Sequence, residues 1–369
     1  MKEDLLIVGA GVFGSTFANL AKESGKSVRI IEKRDHVAGN IYTKKIEGID
    51  VHVYGAHIFH TNSKNVWDFV NRFSSFNGYK HKVKVNYCEK IYSFPFNLLT
   101  LSQVLGATNP STAKEIIEKV RVLNVDPESN LENFCLYNIG EELYTKFIKH
   151  YTAKQWGREP SQLPASIIKR IPIRFNYNDS YFLTSEYEGI PCNGYTEMVE
   201  NMICGIPVEL GVDFIKDKSK LEKQFKQIVY TGAIDELFEY KLGKLNWRSL
   251  KFETEILDTN DYQGGSVVNY TGPEKDYPFT RKVEHKHFNW VNNNKTVVTT
   301  EYPDKWELNK EKYYPINTEE NNALHKQYLN LVNDQYIIGG RLGSYLYYDM
   351  DQIIAQSITK FNHYNENSN

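Results

Sequence analysis

The chain of 369 residues has no surplus of either charge: 44 lysines and arginines stand against 46 aspartates and glutamates, for a formal net charge of −2. Nucleic-acid binders usually carry a basic excess, so that class is set aside. Cysteine is scarce. Cys88, Cys135, Cys192 and Cys204 lie far apart with no C-x-x-C pair, and no histidines accompany them at zinc spacing. Neither a disulfide framework nor a metal site is therefore expected. Long apolar runs are missing as well, since none approaches the ~20 residues of a membrane span. The first apolar run is cut by glycines after a few residues, unlike a secretory signal. These absences point to a cytoplasmic chain with no membrane or nucleic-acid partner. Internal repeats are absent too, and the length suits two or three domains.

Tyrosine is what the chain has in excess, with 26 copies. Each offers an apolar face and a polar tip, which fits a wet, partly apolar cleft.

The stretch "DLLIVGAGVFGSTFANLAKESGKSVRIIE", residues 4–32, reads as strand, glycine turn, helix, strand. Its first strand is continuously apolar, as in a parallel sheet covered on both faces. Gly9, Gly11 and Gly14 form G-x-G-x-x-G, with Val12 and Phe13 opening the helix. This spacing permits a tight turn, close approach of a pyrophosphate and close helix packing. Glu32 ends the second strand, where a carboxylate can accept from a ribose hydroxyl. The loop "EKRDHVAGN" (32–40) adds Lys33, Gly39 and Asn40, and passes under a long cofactor. A second strand–glycine–helix junction, "GGRLGSYLYYDMD" (339–351), closes the chain. Its helix, starting near Asp349, would aim a positive end into the cleft. These two features favour FAD over NAD.

Between the two junctions, helices are predicted over 63–76, 110–122 and 130–155, and region 98–165 reads as a helical insertion. Segments 247–257, 265–271, 281–289 and 296–302 have the alternation of an antiparallel sheet. The predicted fold class is α/β: a Rossmann-like FAD-binding domain with an inserted helical domain and an antiparallel β-sheet domain. The expected boundaries are 1–80 with 191–240 and 325–369 for the first, and 98–165 for the helical, lid-bearing domain. The sheet domain takes 81–97, 166–190 and 241–324. One stretch, "KRIPIRFNYNDSYF" (169–182), sets Arg170 and Arg174 four apart around Pro172, among aromatics. Guanidinium forks match phosphate geometry, so at least one of the pair is a candidate anion ligand.

With "VYGAHIFHT" (53–61), "YTAKQWG" (151–157), "LPASIIKRIPIRFNYNDSYF" (163–182), "WRSLKFE" (247–253), "FTRKVEHKHF" (279–288), "EYP" (301–303) and the C-terminal junction, the chain resembles the bacterial UDP-galactopyranose mutases across nearly its whole length. The resemblance implies an isomerase that interconverts UDP-galactopyranose and UDP-galactofuranose, with FAD that must be reduced. In that family, flavin N5 attacks the anomeric carbon, UDP leaves, and the sugar opens on the flavin as an iminium. It implies a homodimer and galactofuranose-containing surface glycans downstream.

The resemblance also implies roles for individual residues. Arg170, Arg281, His60 and Tyr347 would be catalytic, the two arginines on the diphosphate. Phe147, Tyr151, Thr152, Trp156, Tyr181, Arg248, Asn269 and Tyr314 would join them around the substrate. His57, Arg341, Asp349 and Met350 would complete the cofactor contacts begun by the glycine loop. Arg174 falls off the phosphate position and is assigned to the scaffold. Ala38, Ala56, Ala233 and His81 depart from the family pattern, and His81 bears on hexose preference. The competing readings are the same chemistry on UDP-N-acetylgalactosamine and a flavin oxidoreductase of the amine-oxidase kind.

Overall fold

The computed structural model describes residues 3–169 and 172–367. Arg170 therefore lies outside the described residues.

Five parallel strands form the first sheet, in the order Tyr336–Ile338, Phe225–Tyr230, Glu3–Val8, Val28–Glu32, Val208–Leu210. The apolar run of the first strand lies at its centre, and Leu5, Leu6 and Ile7 are fully buried. Because side chains alternate along a strand, Leu5 and Ile7 join one core with Phe13 and Phe17, while Leu6 joins another with Phe225 and Ile228. Helix Val12–Glu23 covers the first face together with the terminal helix Met350–Asn367, Phe17 meeting Phe361 edge-on at 5.5 Å. The ends of the chain thus build one layer.

The second sheet has seven strands: Tyr314–Pro315, Trp247–Leu257, Thr296–Lys305, Arg281–Glu284, Val267–Tyr270, Val83–Tyr87 and Lys90–Phe94. The four segments expected as antiparallel are all present and pair antiparallel with one another. One joint differs, because Val267–Tyr270 runs parallel to Val83–Tyr87. The sheet is therefore mixed: the 83–87 strand arrives from a distant part of the chain, and no hairpin dictates its direction.

The expected helix over 130–155 is broken into Leu131–Leu143, a wide turn at Tyr144–Lys149, and His150–Trp156. A separate kink lies inside the first piece at Gly140, with φ of 74°, where a side chain would meet the Val120 carbonyl at 2.5 Å. The helix expected over 63–76 ends at Val70.

In "KRIPIRFNYNDSYF", Arg174 is buried, and its Nη1 donates to the carbonyls of Asn178 and Ser180 at 3.1 and 2.6 Å. Its backbone N–H donates to Phe96 at 2.9 Å. The residue staples its own loop. Arg174→Met should lower the unfolding free energy by about 2 kcal/mol, since two part-buried carbonyls lose a charged donor. Denaturant titration checks this, and an unchanged midpoint would remove Arg174 from the scaffold.

Candidate active site

A cleft of about 1340 Å³ is lined by residues of both sheets and of the helical region. At one end stands the glycine loop. A side chain on Gly14 would lie 2.0 Å from the Gly9 carbonyl, so the helix packs this close to the turn only with glycine. Gly39, at φ of 54°, faces Gly11, where a Cβ would come within 3.1 Å of the Gly11 Cα. No side chain caps the helix Val12–Glu23, which leaves its first N–H groups for an anion. Ala38 adopts a left-handed φ of 73°, a conformation that suits the glycine usual at this position.

Glu32 is buried at the end of its strand, where one carboxylate oxygen accepts from Ala10 N–H at 2.8 Å and the other from Arg34 N–H at 2.9 Å. Arg34, not singled out in the sequence, lies over the Tyr54 ring at 4.4 Å and donates to Asn40 at 2.9 Å and Glu311 at 2.7 Å. Its Nη1 is buried with no hydrogen-bond partner. Lys33 lines the same end, 3.9 Å from Asp213. The glycine cradle, free helix end, fixed carboxylate and orphaned guanidinium nitrogen together fit a dinucleotide.

The middle of the cleft holds histidines and the second glycine junction. His57 Nδ1 lies 2.8 Å from the Gly55 carbonyl. His60 stacks on Phe182 at 3.7 Å, with Nδ1 3.1 Å from Ser185 Oγ and Nε2 3.7 Å from the Asp349 carboxylate. Asp349 precedes the terminal helix and Met350 opens it. Arg341 donates to the Tyr313 carbonyl and lies 5.4 Å from the Tyr347 ring, which is 5.6 Å from Tyr314.

At the other end, Arg281 sits on the second sheet opposite Glu301 of one neighbouring strand and Asn269 of the other. Its Nη2 donates to the Tyr151 hydroxyl at 2.7 Å, and its Nε is 3.5 Å from a Glu301 carboxylate oxygen. Burial works against the charge on Arg281, but Glu301 and Tyr151 outweigh it and hold the guanidinium well above its ordinary range. Burial also pushes the Glu301 carboxyl up, against the pull of Arg281. Arg281 Nε, Glu301 Oε1, Asn269 Oδ1 and Gln155 Oε1 are buried without hydrogen-bond partners. Such groups are costly unless a ligand completes them. Phe147, Thr152, Trp156 and Tyr181 complete this wall.

The sequence-derived residues on the described chain therefore gather in one cleft, with one exception. Arg248 does not line it; its guanidinium bonds the carbonyls of Lys154 and Gln155. Arg34, Tyr54, Gln155 and Glu301 are cleft residues absent from the sequence-derived set. The "EYP" motif around Glu301 and the basic loop around Arg34 carried the only signals for them. The only candidate metal cluster among the described residues, Asp261, Glu284 and His287, is outside the cleft, and His287 lies 3.3–3.4 Å from both carboxylates.

Fold and site define a dinucleotide-cofactor enzyme whose cleft holds an arginine paired with a buried carboxylate. Residues 146–347 match the family model for UDP-galactopyranose mutase, and residues 7–73 match that for an NAD(P)-binding Rossmann-like domain. A probable UDP-galactopyranose mutase of Klebsiella pneumoniae is 39% identical over 96% of this chain and 93% of its own. The dTDP-fucopyranose mutase of Escherichia coli is 36% identical over 96% of both. The fold matches that of a solved reduced UDP-galactopyranose mutase with a TM-score of 0.74 at 15% identity, over 98% of this chain and 95% of that one. The chain belongs to the UDP-galactopyranose mutase family and is a flavoprotein isomerase.

Four histidines in or beneath the cleft are held neutral by burial. His57 is lowered to about 4, His81 and His285 to about 3, and His52 well below its ordinary range. Three of them are linked, since His57 N–H donates to His52 Nδ1 at 3.1 Å and His52 N–H to His285 Nδ1 at 3.3 Å. An unfolded chain protonates these rings near 6.5. Below that value the unfolded state binds more protons than the folded one, so stability falls as pH falls towards about 4. Each histidine contributes up to about 1.4 kcal/mol per pH unit. Urea midpoints measured between about pH 7 and 4.5 should drop steeply, and a flat profile would contradict neutral burial.

Proposed function

We propose that the chain interconverts UDP-galactopyranose and UDP-galactofuranose, with reduced FAD as the cofactor. The observation that carries this reading is Arg281, a half-buried guanidinium that lines the cleft, paired with buried Glu301 and bonded to a phenol, among aromatic surfaces.

Bound in the glycine cradle, the reduced flavin would supply the nucleophile for the anomeric carbon. The chain's own residues bind, orient and balance charge. Leaving of UDP places negative charge on the diphosphate, and Arg281 offers a permanent positive charge there in a dry site. Arg170 is assigned the second guanidinium on the same group. Because the Tyr151 oxygen accepts from Arg281 Nη2, its own proton is free to go to a phosphate oxygen. Burial raises the Tyr151 and Tyr314 phenols, so both remain donors. Phe147, Trp156 and Asn269 provide stacking and an amide for uracil, while Tyr181 and Tyr347 close over the diphosphate and sugar. His60, sandwiched by Phe182 and restrained by Ser185 and Asp349, fixes the edge where the sugar meets the flavin.

Residues 98–165 form the lid-bearing part in this reading, and the active species is a cytoplasmic homodimer. No helix among the described residues is long and apolar enough to cross a membrane.

A second reading is the same chemistry on a dTDP-6-deoxyhexose, because the Escherichia coli relative is nearly as similar over as much of the chain. Dithionite-reduced protein incubated with UDP-galactofuranose, and separately with dTDP-fucofuranose, distinguishes the two by chromatography. UDP-galactopyranose should appear in the first incubation at the higher kcat/KM. If neither pyranose forms while FAD is bound, the proposed reaction is wrong.

Arg281→Ala and Arg170→Ala should each reduce turnover about a hundredfold or more, with the flavin spectrum unchanged. Glu301, its carboxyl already raised, can take up a proton when Arg281 is removed, so the fold should survive. Turnover within tenfold of the parent enzyme would move the leaving-group charge to other residues.

A further inference from the structure

Helix His150–Trp156 carries Tyr151, Thr152, Gln155 and Trp156 into the cleft. It runs on from the wide turn Tyr144–Lys149 through helical backbone, so no cap of its own fixes its place against the sheet. Two buried or half-buried cations hold it instead. Lys154 is buried, and its Nζ donates to the carbonyls of Tyr270, Tyr277 and Phe279 at 2.8, 2.9 and 2.9 Å. Arg248, on strand Trp247–Leu257, donates from Nε to the Gln155 carbonyl at 3.0 Å and from Nη2 to the Lys154 carbonyl at 3.3 Å. These are carbonyls of the last turn, which have no partner inside the helix. The helix ends on Gly157 at φ of 63°, and a Cβ there would lie 2.8 Å from Arg248 Nη1.

We infer that Arg248 is a positioning residue for the mutase reaction: from outside the cleft it fixes the helix that presents Tyr151 and Trp156, and it does not touch substrate. Its positive charge also complements the negative end of the helix. The same residue pairs with Tyr314 across the edge of the sheet, and its carbonyl accepts from Tyr313 N–H at 3.0 Å. One residue thus sets the helix and the edge strand in a common frame. This inference rests on the proposed function only in taking Tyr151 and Trp156 to face the nucleotide.

The test uses the FAD-bound, full-length protein. In Arg248→Ala, calorimetric affinities for UDP and UMP should fall by the same factor, about tenfold, because the whole wall is displaced. KM for the nucleotide sugar should rise similarly, with kcat within about twofold. Gly157→Ala keeps the arginine but crowds its guanidinium, and should give the same pattern. Amide hydrogen exchange over residues 150–157 should accelerate in both variants without any nucleotide.

A loss for UDP much larger than for UMP would place Arg248 on the terminal phosphate and overturn the inference. So would nucleotide affinities equal to those of the parent enzyme, or unchanged exchange in the helix. Faster exchange in the helix, with a parent enzyme that binds neither nucleotide, would instead overturn the proposed function and confine Arg248 to the fold.

Discussion

The site depends on one line of residues running across the second sheet: Val85, Asn269, Arg281, Glu301 and Phe252 are successive cross-strand partners. Four of them line the cleft, and a side chain built on Gly55 would meet both Glu301 and Phe252 at 3.4 Å. Side chains alternate between faces, so a slip of one residue in any of these strands would turn its member of the row away from the cleft. The pair Arg281–Glu301 penalises such a slip heavily, because each would be left as an isolated buried charge. Register and ligand chemistry are thus fixed by the same two side chains. The parallel joint at Val267–Tyr270 belongs to this arrangement, since it brings Val85 beside Asn269 and extends the row with an apolar surface.

Glu301 in that row is buried, and the low-dielectric setting strengthens its pairing with Arg281. Burial keeps His57 and His81 neutral, so neither ring adds positive charge to the cleft. Anion attraction then comes from arginines that line the cleft, Arg34, Arg281 and Arg341 among them, and from the uncapped helix end near Gly11. A ligand pair with a diphosphate at each end and a reacting centre between them matches this distribution. A flavin dinucleotide and a nucleoside-diphosphate sugar are such a pair.

Much of this was legible in the sequence, for identifiable reasons. The glycine fingerprint has a local cause, since turn, helix start and strand end lie within 32 residues, and each glycine answers a steric need visible in its spacing. The sheet segments were legible because alternation has a short period. The kink at Gly140 and the wide turn after it were not, because a helical pattern continues through both, and only contact with Val120 reveals why glycine is there. Arg34 and Glu301 were missed for a similar reason: their partners, Glu311 and Arg281, are 277 and 20 residues away. Likeness to the mutase family supplied most of the substrate-side residues, and the described chain gathers them, apart from Arg248, around one cleft.

Arginine shows where sequence stops and structure begins. Arg174, Arg248 and Arg281 all sit in motifs rich in aromatics, and composition alone does not rank them. Their partners do. Arg174 and Arg248 donate to main-chain carbonyls, neutral acceptors that leave the guanidinium's charge to hold a loop or a helix end. Lys154 does the same with three carbonyls, at the cost of an ammonium lowered by burial to about 8. Arg281 instead faces a carboxylate and a phenol. A cation bonded to the backbone is consumed by the fold, whereas Arg281, balanced by a buried carboxylate, is the one of the three that lines the cleft. On that criterion Arg281 is available to a diphosphate, and the other two shape the walls around it.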